Sequence, residues 1–309
     1  MVDIDEVVGE LFPGIKLKDK QRECLEHIVT RYTDLVAVLP TGYGKSLIYQ
    51  VLPEILRRKF NKSTASVLVV SPLNVIHIDQ IKRLAQLHIK ACKLDIGCNM
   101  AAGVLTSEDD DYQFQLTTDV ELDDIIKGNF DIVFCHPEAI LNTKRGHSLL
   151  DNVQFQQNVQ AVVIDECHTV ELWAKDFRRA FALLHTLPTF FRCPVIALSA
   201  TITVNALGLI PKLLGMVDPY IIKENPDKPN MFLDRCRKQS NIDVYACAGS
   251  VFEPELNHLF HAKRSYPVTL IYMPISWMAE AQTYAMDLFA NPTLEIVSLV
   301  VFFLHKICM

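Results

Sequence analysis

The run Leu39-Pro-Thr-Gly-Tyr-Gly-Lys-Ser-Leu-Ile-Tyr-Gln50 carries two glycines, a lysine and a hydroxyl in an order that suits phosphate binding. Gly42 and Gly44 let the backbone turn tightly, so that several N–H groups and a helix N-terminus face negative charge. Thr41 and Tyr43 complete the turn. In such a loop Lys45 reaches the β- and γ-phosphates of a nucleoside triphosphate, and the Ser46 hydroxyl ligates Mg²⁺. The strict pattern GxxxxGK[ST] would place a glycine where this chain has Leu39. The bland alternative is a glycine turn with an incidental lysine. Against it stand the apolar run at 35–39 and the helix-compatible stretch that follows, which supply the strand, loop and helix order that phosphate loops need.

A second constellation begins 120 positions after Lys45, where the apolar run Ala161-Val-Val-Ile164 ends in Asp165-Glu166-Cys167-His168. A buried parallel strand that delivers acids at its carboxyl end can hold a metal and activate water beside a phosphate loop. Asp165 would bind Mg²⁺, directly or through water, and Glu166 would orient or deprotonate the attacking water. His168 is placed to sense the γ-phosphate. Taken alone, the four residues are also compatible with a capped strand end carrying solvated acids.

These residues need a scaffold, and the chain has the material for one. Half of its 309 residues are apolar, enough for one full α/β domain and part or all of a second. Short β-branched runs recur at 66–71, 131–135, 161–165 and 195–199, separated by helix-like stretches at 76–87, 178–187 and 206–214. Such alternation predicts a parallel sheet with helices on both faces. The acidic stretch Glu108-Asp-Asp-Asp111, with further acids through Asp124, reads as a solvated loop before the strand at 131. Asn225-Pro-Asp-Lys-Pro-Asn230 is a cluster of turn formers and reads as a hinge. Beyond it, strands are expected at 242–246 and 268–272 and a helix at 276–289. The expected organisation is therefore a first α/β domain over 1–224, a hinge over 225–230 and a second, incomplete lobe over 231–309.

The net charge of −6 excludes a polybasic binder while leaving room for a local basic groove. Nine cysteines are scattered without a CxxC pair, which favours a reducing compartment and offers no zinc site. The N-terminus Met-Val-Asp-Ile-Asp-Glu lacks the features of a signal peptide, and the late apolar run at 296–304 is too short to cross a bilayer. A cytosolic or nuclear protein with no membrane partner is expected. Residues 291–309 fit neither a clear helix nor a clear strand.

Taken together, the motifs resemble the RecQ-type DNA helicases of helicase superfamily 2. The segment at 39–50 is similar to that family's motif I, including the non-glycine residue at its first position. Gln21, twenty-four residues before Lys45, is placed like the glutamine that reads the adenine edge, where an amide can donate and accept at once. Ser71-Pro-Leu73 with Asp79-Gln80 resembles motif Ia, and His136-Pro-Glu138 resembles motif Ib; in the family both line the nucleic-acid groove. Ser199-Ala-Thr201 resembles motif III, which links nucleotide state to DNA state. Lys228-Pro-Asn230 and Thr269-Leu-Ile-Tyr272 are similar to the opening of the second RecA-like lobe and its motif IV. The later Gln-x-x-x-x-Gly-Arg-x-Gly-Arg segment, which supplies an arginine finger, has no counterpart before Met309. The resemblance implies a RecA-like P-loop fold with ATP and Mg²⁺ as cofactors and 3′ to 5′ unwinding of DNA coupled to ATP hydrolysis. It implies a nuclear location, and hydrolysis by this chain far below that of a complete two-lobe relative. A binding-only protein and a DExH RNA helicase are the competing classes.

The stretch Trp173-Ala-Lys-Asp176-Phe177-Arg178 separates these classes, because it resembles the aromatic-rich loop that RecQ enzymes carry after the DExH box. Trp173 and Phe177 would offer stacking faces to single-stranded bases, and Arg178 could pair with phosphate or stack as a cation. Four residues apart, the two rings could equally be one apolar helix face. Single-stranded DNA, or a duplex with a single-stranded tail, is the implied partner. Trp173→Ala should remove most of any DNA stimulation of ATP turnover while leaving ATP affinity within about a factor of three, since stacking contributes roughly 1–3 kcal/mol per base to the DNA complex alone. Turnover titrated with single-stranded DNA checks this, and stimulation equal to the unaltered protein would refute it.

Overall fold

A computed structural model of the chain describes residues 2–71, 74–97, 115–171 and 179–227, with isolated positions at 254, 257, 258 and 261. The chain divides into two compact units, Met1–Lys228 and Pro229–Met309, and every element named below belongs to the first. The strands are β1 Leu35–Val38, β2 Ser66–Val70, β3 Ala91–Gly97, β4 Gln115–Thr118, β5 Ile132–Cys135, β6 Val159–Ile164, β7 Val195–Ser199 and β8 Tyr220–Lys223. They form one sheet in the order β4-β3-β5-β2-β6-β7-β1-β8. All neighbouring pairs are parallel except β3 with β4.

The central strands are buried along their whole length, as a parallel sheet covered on both faces requires. Alternation of side chains along each strand divides them between two cores. On one face Leu35, Ala37, Val67, Val69, Ala161, Val163, Ile196 and Leu198 pack with the apolar sides of three helices. These are α1 Ile4–Leu11, α2 Asp19–Thr30 and α3 Lys45–Phe60. On the other face Val36, Leu68, Val70, Val162, Ile164 and Ala197 pack with Phe155, Phe181, Leu184 and Ile210. Helix α4, Asn74–Gln86, follows β2.

The expected strands at 66–71, 131–135, 161–165 and 195–199 are present within one or two residues of their expected ends. The expected helix at 178–187 is broken: Arg179–Ala182 is α-helical, Leu184–Thr186 is a 3₁₀ turn, and a new helix runs Leu187–Phe190. Pro188 has no N–H for the carbonyl four residues back, so it begins a helix instead of continuing one. From residue 115 onward the connection before β5 carries strand β4 and a helical turn at Leu122–Ile126, in place of the expected solvated loop. Gln115–Thr118 gains its strand conformation by antiparallel pairing with β3 at the sheet edge, a contact that local composition does not encode. The acidic residues 108–111, the loop 173–178, the hinge beyond Asp227 and the expected elements of 231–309 lie outside the described residues.

Asp34 fastens the end of the sheet remote from the phosphate loop. Its carboxylate accepts the N–H groups of Val195 and Val217, each at 2.8 Å, and its carbonyl accepts Tyr220 N–H at 2.9 Å. β1, β7 and the approach to β8 are thereby tied to one residue. Asp34→Ala should lower the unfolding free energy by roughly 1–3 kcal/mol, because two backbone donors lose a charged acceptor together. Asp34→Asn, which keeps one acceptor oxygen, should lose less. Urea midpoints of the three proteins measure the order.

Candidate nucleotide site

Carboxyl ends of parallel strands lie on one edge of a sheet, and here that edge gathers the sequence motifs. β1 runs into the glycine loop, β6 into Asp165 to His168, and β7, which lies between them, into Ser199 to Thr201. The ends of β1 and β6 are therefore about 10 Å apart, two strand spacings. Ser199 spans the gap. Its carbonyl accepts Leu39 N–H at 2.9 Å, and its hydroxyl lies 2.8 Å from His168 Nδ1. Leu198 carbonyl accepts Cys167 N–H at 3.0 Å. Thr201 N–H reaches the same Ser199 hydroxyl at 3.3 Å, and that hydroxyl donates to Thr201 carbonyl at 3.1 Å.

Leu39 explains the departure from the strict glycine pattern. It is fully buried at the end of β1, hydrogen-bonded to β7, so the position belongs to the sheet and needs no glycine. Gly42 and Gly44 both have left-handed backbones, φ +80° and +92°, which a side chain would strain. Gly44 is also the N-cap of α3. The N–H groups of Thr41, Gly42, Gly44, Lys45 and Ser46 meet no hydrogen-bond acceptor among the described residues, whereas Tyr43 N–H turns back to Pro40 carbonyl at 3.0 Å. Such a set of N–H groups at a helix N-terminus is an anion cradle.

Opposite the cradle, Asp165 and Glu166 differ in electrostatic state. Burial, reinforced by the neighbouring Glu166 charge, pushes the Asp165 carboxyl up to about 6, against the opposing effects of Glu166 N–H, Lys45 and His168. Glu166 is held below its ordinary value by its hydrogen bond with His168, where Nδ1 lies 3.3 Å from Oε2, with a further contribution from the Lys45 charge. Glu166 also has a left-handed backbone, φ +51°, an arrangement that costs on the order of 1–3 kcal/mol and is typical of functional turns. Near them Tyr49 is buried, and its phenol is held well above its ordinary value by burial and by both carboxylates, against the opposing effect of the Ser46 side chain.

The residues fit a hard divalent cation. Asp165 offers a carboxylate whose ionisation is resisted until positive charge approaches, and Ser46 offers a hydroxyl with lone pairs to donate. A cation held by these two groups would draw its remaining ligands from phosphate and water.

The structure places the other expected residues less uniformly. Gln21 is only 2% exposed, and its amide is engaged with the glycine loop. Ser71, expected in a nucleic-acid groove, is buried at the end of β2 with its N–H on Cys135 carbonyl. His136 and Glu138 are buried and pair with each other. Trp173, Asp176, Phe177 and Arg178 lie outside the described residues. Two participants went unnoticed in the sequence: Lys18, whose ammonium reaches Gly42 carbonyl at 3.3 Å, and Glu224, which accepts the Tyr43 hydroxyl at 3.4 Å; a further contact, Gln50 Nε2 to Gln80 Oε1 at 2.6 Å, joins two of the motifs. The first two contacts have no spacing signature. Gln80 already lay in the segment resembling motif Ia.

Residues 18–208 match the DEAD/DEAH box helicase family. The chain belongs to that family. It is 29% identical over 232 residues to the mouse (Mus musculus) bifunctional 3'-5' exonuclease/ATP-dependent helicase WRN, an alignment that spans 75% of this chain and 14% of that protein. It is 28% identical over 279 residues to the Saccharomyces cerevisiae ATP-dependent helicase SGS1, covering 87% and 18%. With the Xenopus laevis RecQ-like DNA helicase BLM it shares 31% over 199 residues, covering 64% and 13%. The chain thus spans less than a fifth of the length of these three relatives. Among solved structures, the DUF1998 helicase MrfA bound to DNA and AMPPNP superposes with a TM-score of 0.64 at 18% identity, over 95% of this chain and 39% of that one, a likeness of fold.

The Asp165 environment has a measurable consequence. Because its folded value of about 6 lies above the ordinary 3.8, the folded state holds this proton more tightly than the unfolded chain. Stability should therefore fall as pH rises through that window, with the full cost present above it. Asp165→Asn should flatten this dependence and raise the melting temperature at pH 7.5 by a few degrees, while matching the unaltered protein more closely at low pH. Thermal melts across pH 4–8 compare the two.

Proposed function

We propose that the first unit binds ATP with Mg²⁺ in the Thr41 to Ser46 cradle and that the chain is the nucleotide-driven part of a RecQ-type DNA helicase. The observation that carries the reading is the set of backbone N–H groups at the start of α3 that meet no acceptor among the described residues, set across the sheet edge from the Asp165 and Glu166 carboxylates. Lys45 would pair with the terminal phosphates, and Asp165 with Ser46 would hold the cation, which when bound neutralises phosphate charge. Glu166, kept ionised by His168, would take a proton from the attacking water.

The Ser199 bridge supports a coupling role for the third motif. A movement of His168 with phosphate state would be felt by Ser199, and through it by Thr201, where the chain leaves the sheet. Arg178, Trp173, Phe177 and Asp176 would supply the single-stranded DNA contacts by resemblance. Ser71 would join them only through a rearrangement that exposes it. The domain division at the 225–230 turn cluster and a nuclear role in DNA repair and recombination belong to the same reading. The similarity to a relative described as a RecQ-like DNA helicase favours DNA over RNA.

Lys45→Ala should weaken ATP binding by roughly tenfold to a hundredfold, the value of a charge-assisted bond to phosphate. Glu166→Gln should keep ATP affinity within a few-fold and lower turnover by about 10²–10⁴, the usual contribution of a general base. Calorimetric titration and single-turnover hydrolysis measure the two. Unchanged turnover in Glu166→Gln would remove that residue from its role.

A further inference from the structure

Gln21 sits at the third position of α2, and its side chain is fully engaged. Oε1 accepts Lys18 N–H at 2.8 Å, while Nε2 donates to Tyr43 carbonyl at 3.1 Å and Gly44 carbonyl at 2.9 Å. An amide nitrogen has two protons, and here each has a loop carbonyl. No proton remains for the edge of a base in this arrangement.

The two carbonyls are not arbitrary. A trans peptide group points its C=O and the following N–H in opposite directions, and none of the described peptide bonds is cis. Holding Tyr43 carbonyl therefore aims Gly44 N–H away from Gln21, and holding Gly44 carbonyl aims Lys45 N–H the same way. Both are among the N–H groups left without acceptors in the cradle. Lys18 holds the preceding carbonyl, that of Gly42, with its ammonium 4.7 Å from the Tyr43 ring centroid, but the N–H that follows, Tyr43's, bonds Pro40 carbonyl and stays outside the cradle. Contact is close enough that a Cβ at Gly44 would come within 2.6 Å of Gln21 Nε2, so the glycine serves the clamp as well as the turn.

We infer that Gln21 is a positioning residue for triphosphate binding: through its two bonds to the glycine loop it orients the Gly44 and Lys45 N–H groups toward phosphate, independently of the base attached. This rests on the reading of the loop as a triphosphate cradle. A glutamine that only reads adenine and one that sets the loop make different predictions for a ligand without a base. The probe is inorganic tripolyphosphate with Mg²⁺, titrated calorimetrically into the full chain alongside ATP.

Two substitutions isolate the donors. Gln21→Glu keeps the acceptor for Lys18 N–H but loses both protons and sets negative charge against the two carbonyls. Gln21→Met is neutral, similar in length, and makes neither bond. With folding verified by circular dichroism, both should weaken tripolyphosphate and ATP in parallel, by roughly tenfold or more for two lost hydrogen bonds. If tripolyphosphate binds both variants as it binds the unaltered protein while only ATP weakens, Gln21 is a base reader and the inference is overturned. If the unaltered protein binds tripolyphosphate and ATP no better than Lys45→Ala does, the cradle reading fails and the inference with it.

Discussion

The site depends on one hydroxyl and one carbonyl of the same residue. Ser199 ends the strand that lies between the glycine-loop strand and the acidic strand, and it bonds to both neighbours: to Leu39 through its backbone and to His168 through its side chain. Because the residue is fully buried, neither bond competes with water. The sheet supplies the spacing and Ser199 keeps the register of the two loops on its edge. Without that register, the cradle of N–H groups and the pair of acids would be two unrelated surface turns.

Around this stitch the molecule concentrates its unfavourable features. Asp165 resists ionisation, Glu166 has a left-handed backbone, two glycines do the same, and five loop N–H groups lack partners among the described residues. Such costs persist only when the surroundings hold them in place. Here the surroundings are strands buried on both faces, with the apolar face of α3 packed beneath the loop. The same features are those that a bound triphosphate and its cation would relieve, since phosphate oxygens would satisfy the N–H groups and positive charge would favour the Asp165 carboxylate.

The core of the sheet was legible in the sequence because fully buried parallel strands are continuous apolar runs, and Val195–Ser199 and the run ending at Asp165 announce themselves. The edge strands were not. Gln115–Thr118 and Tyr220–Lys223 carry no comparable run; they become strands by pairing with β3 and β1, partners 18 and 185 residues away if counted from the strand starts to Gly97 and Leu35. Likewise Asp34 looks like any loop acid until Val195 and Val217 are brought to it.

The sequence alone determined which chemical groups are present and in what local frame: a glycine loop before a helix, an acid pair after a buried strand, and the order of motifs that places the chain in its helicase family. Local backbone geometry depends on near neighbours, so such motifs survive in one dimension. Only the tertiary structure decided how those groups are joined and restrained. It alone turned Gln21 inward onto the carbonyls of Tyr43 and Gly44, buried Ser71, and set Ser199 between the two motifs, because each of these outcomes rests on contacts between residues far apart in the chain.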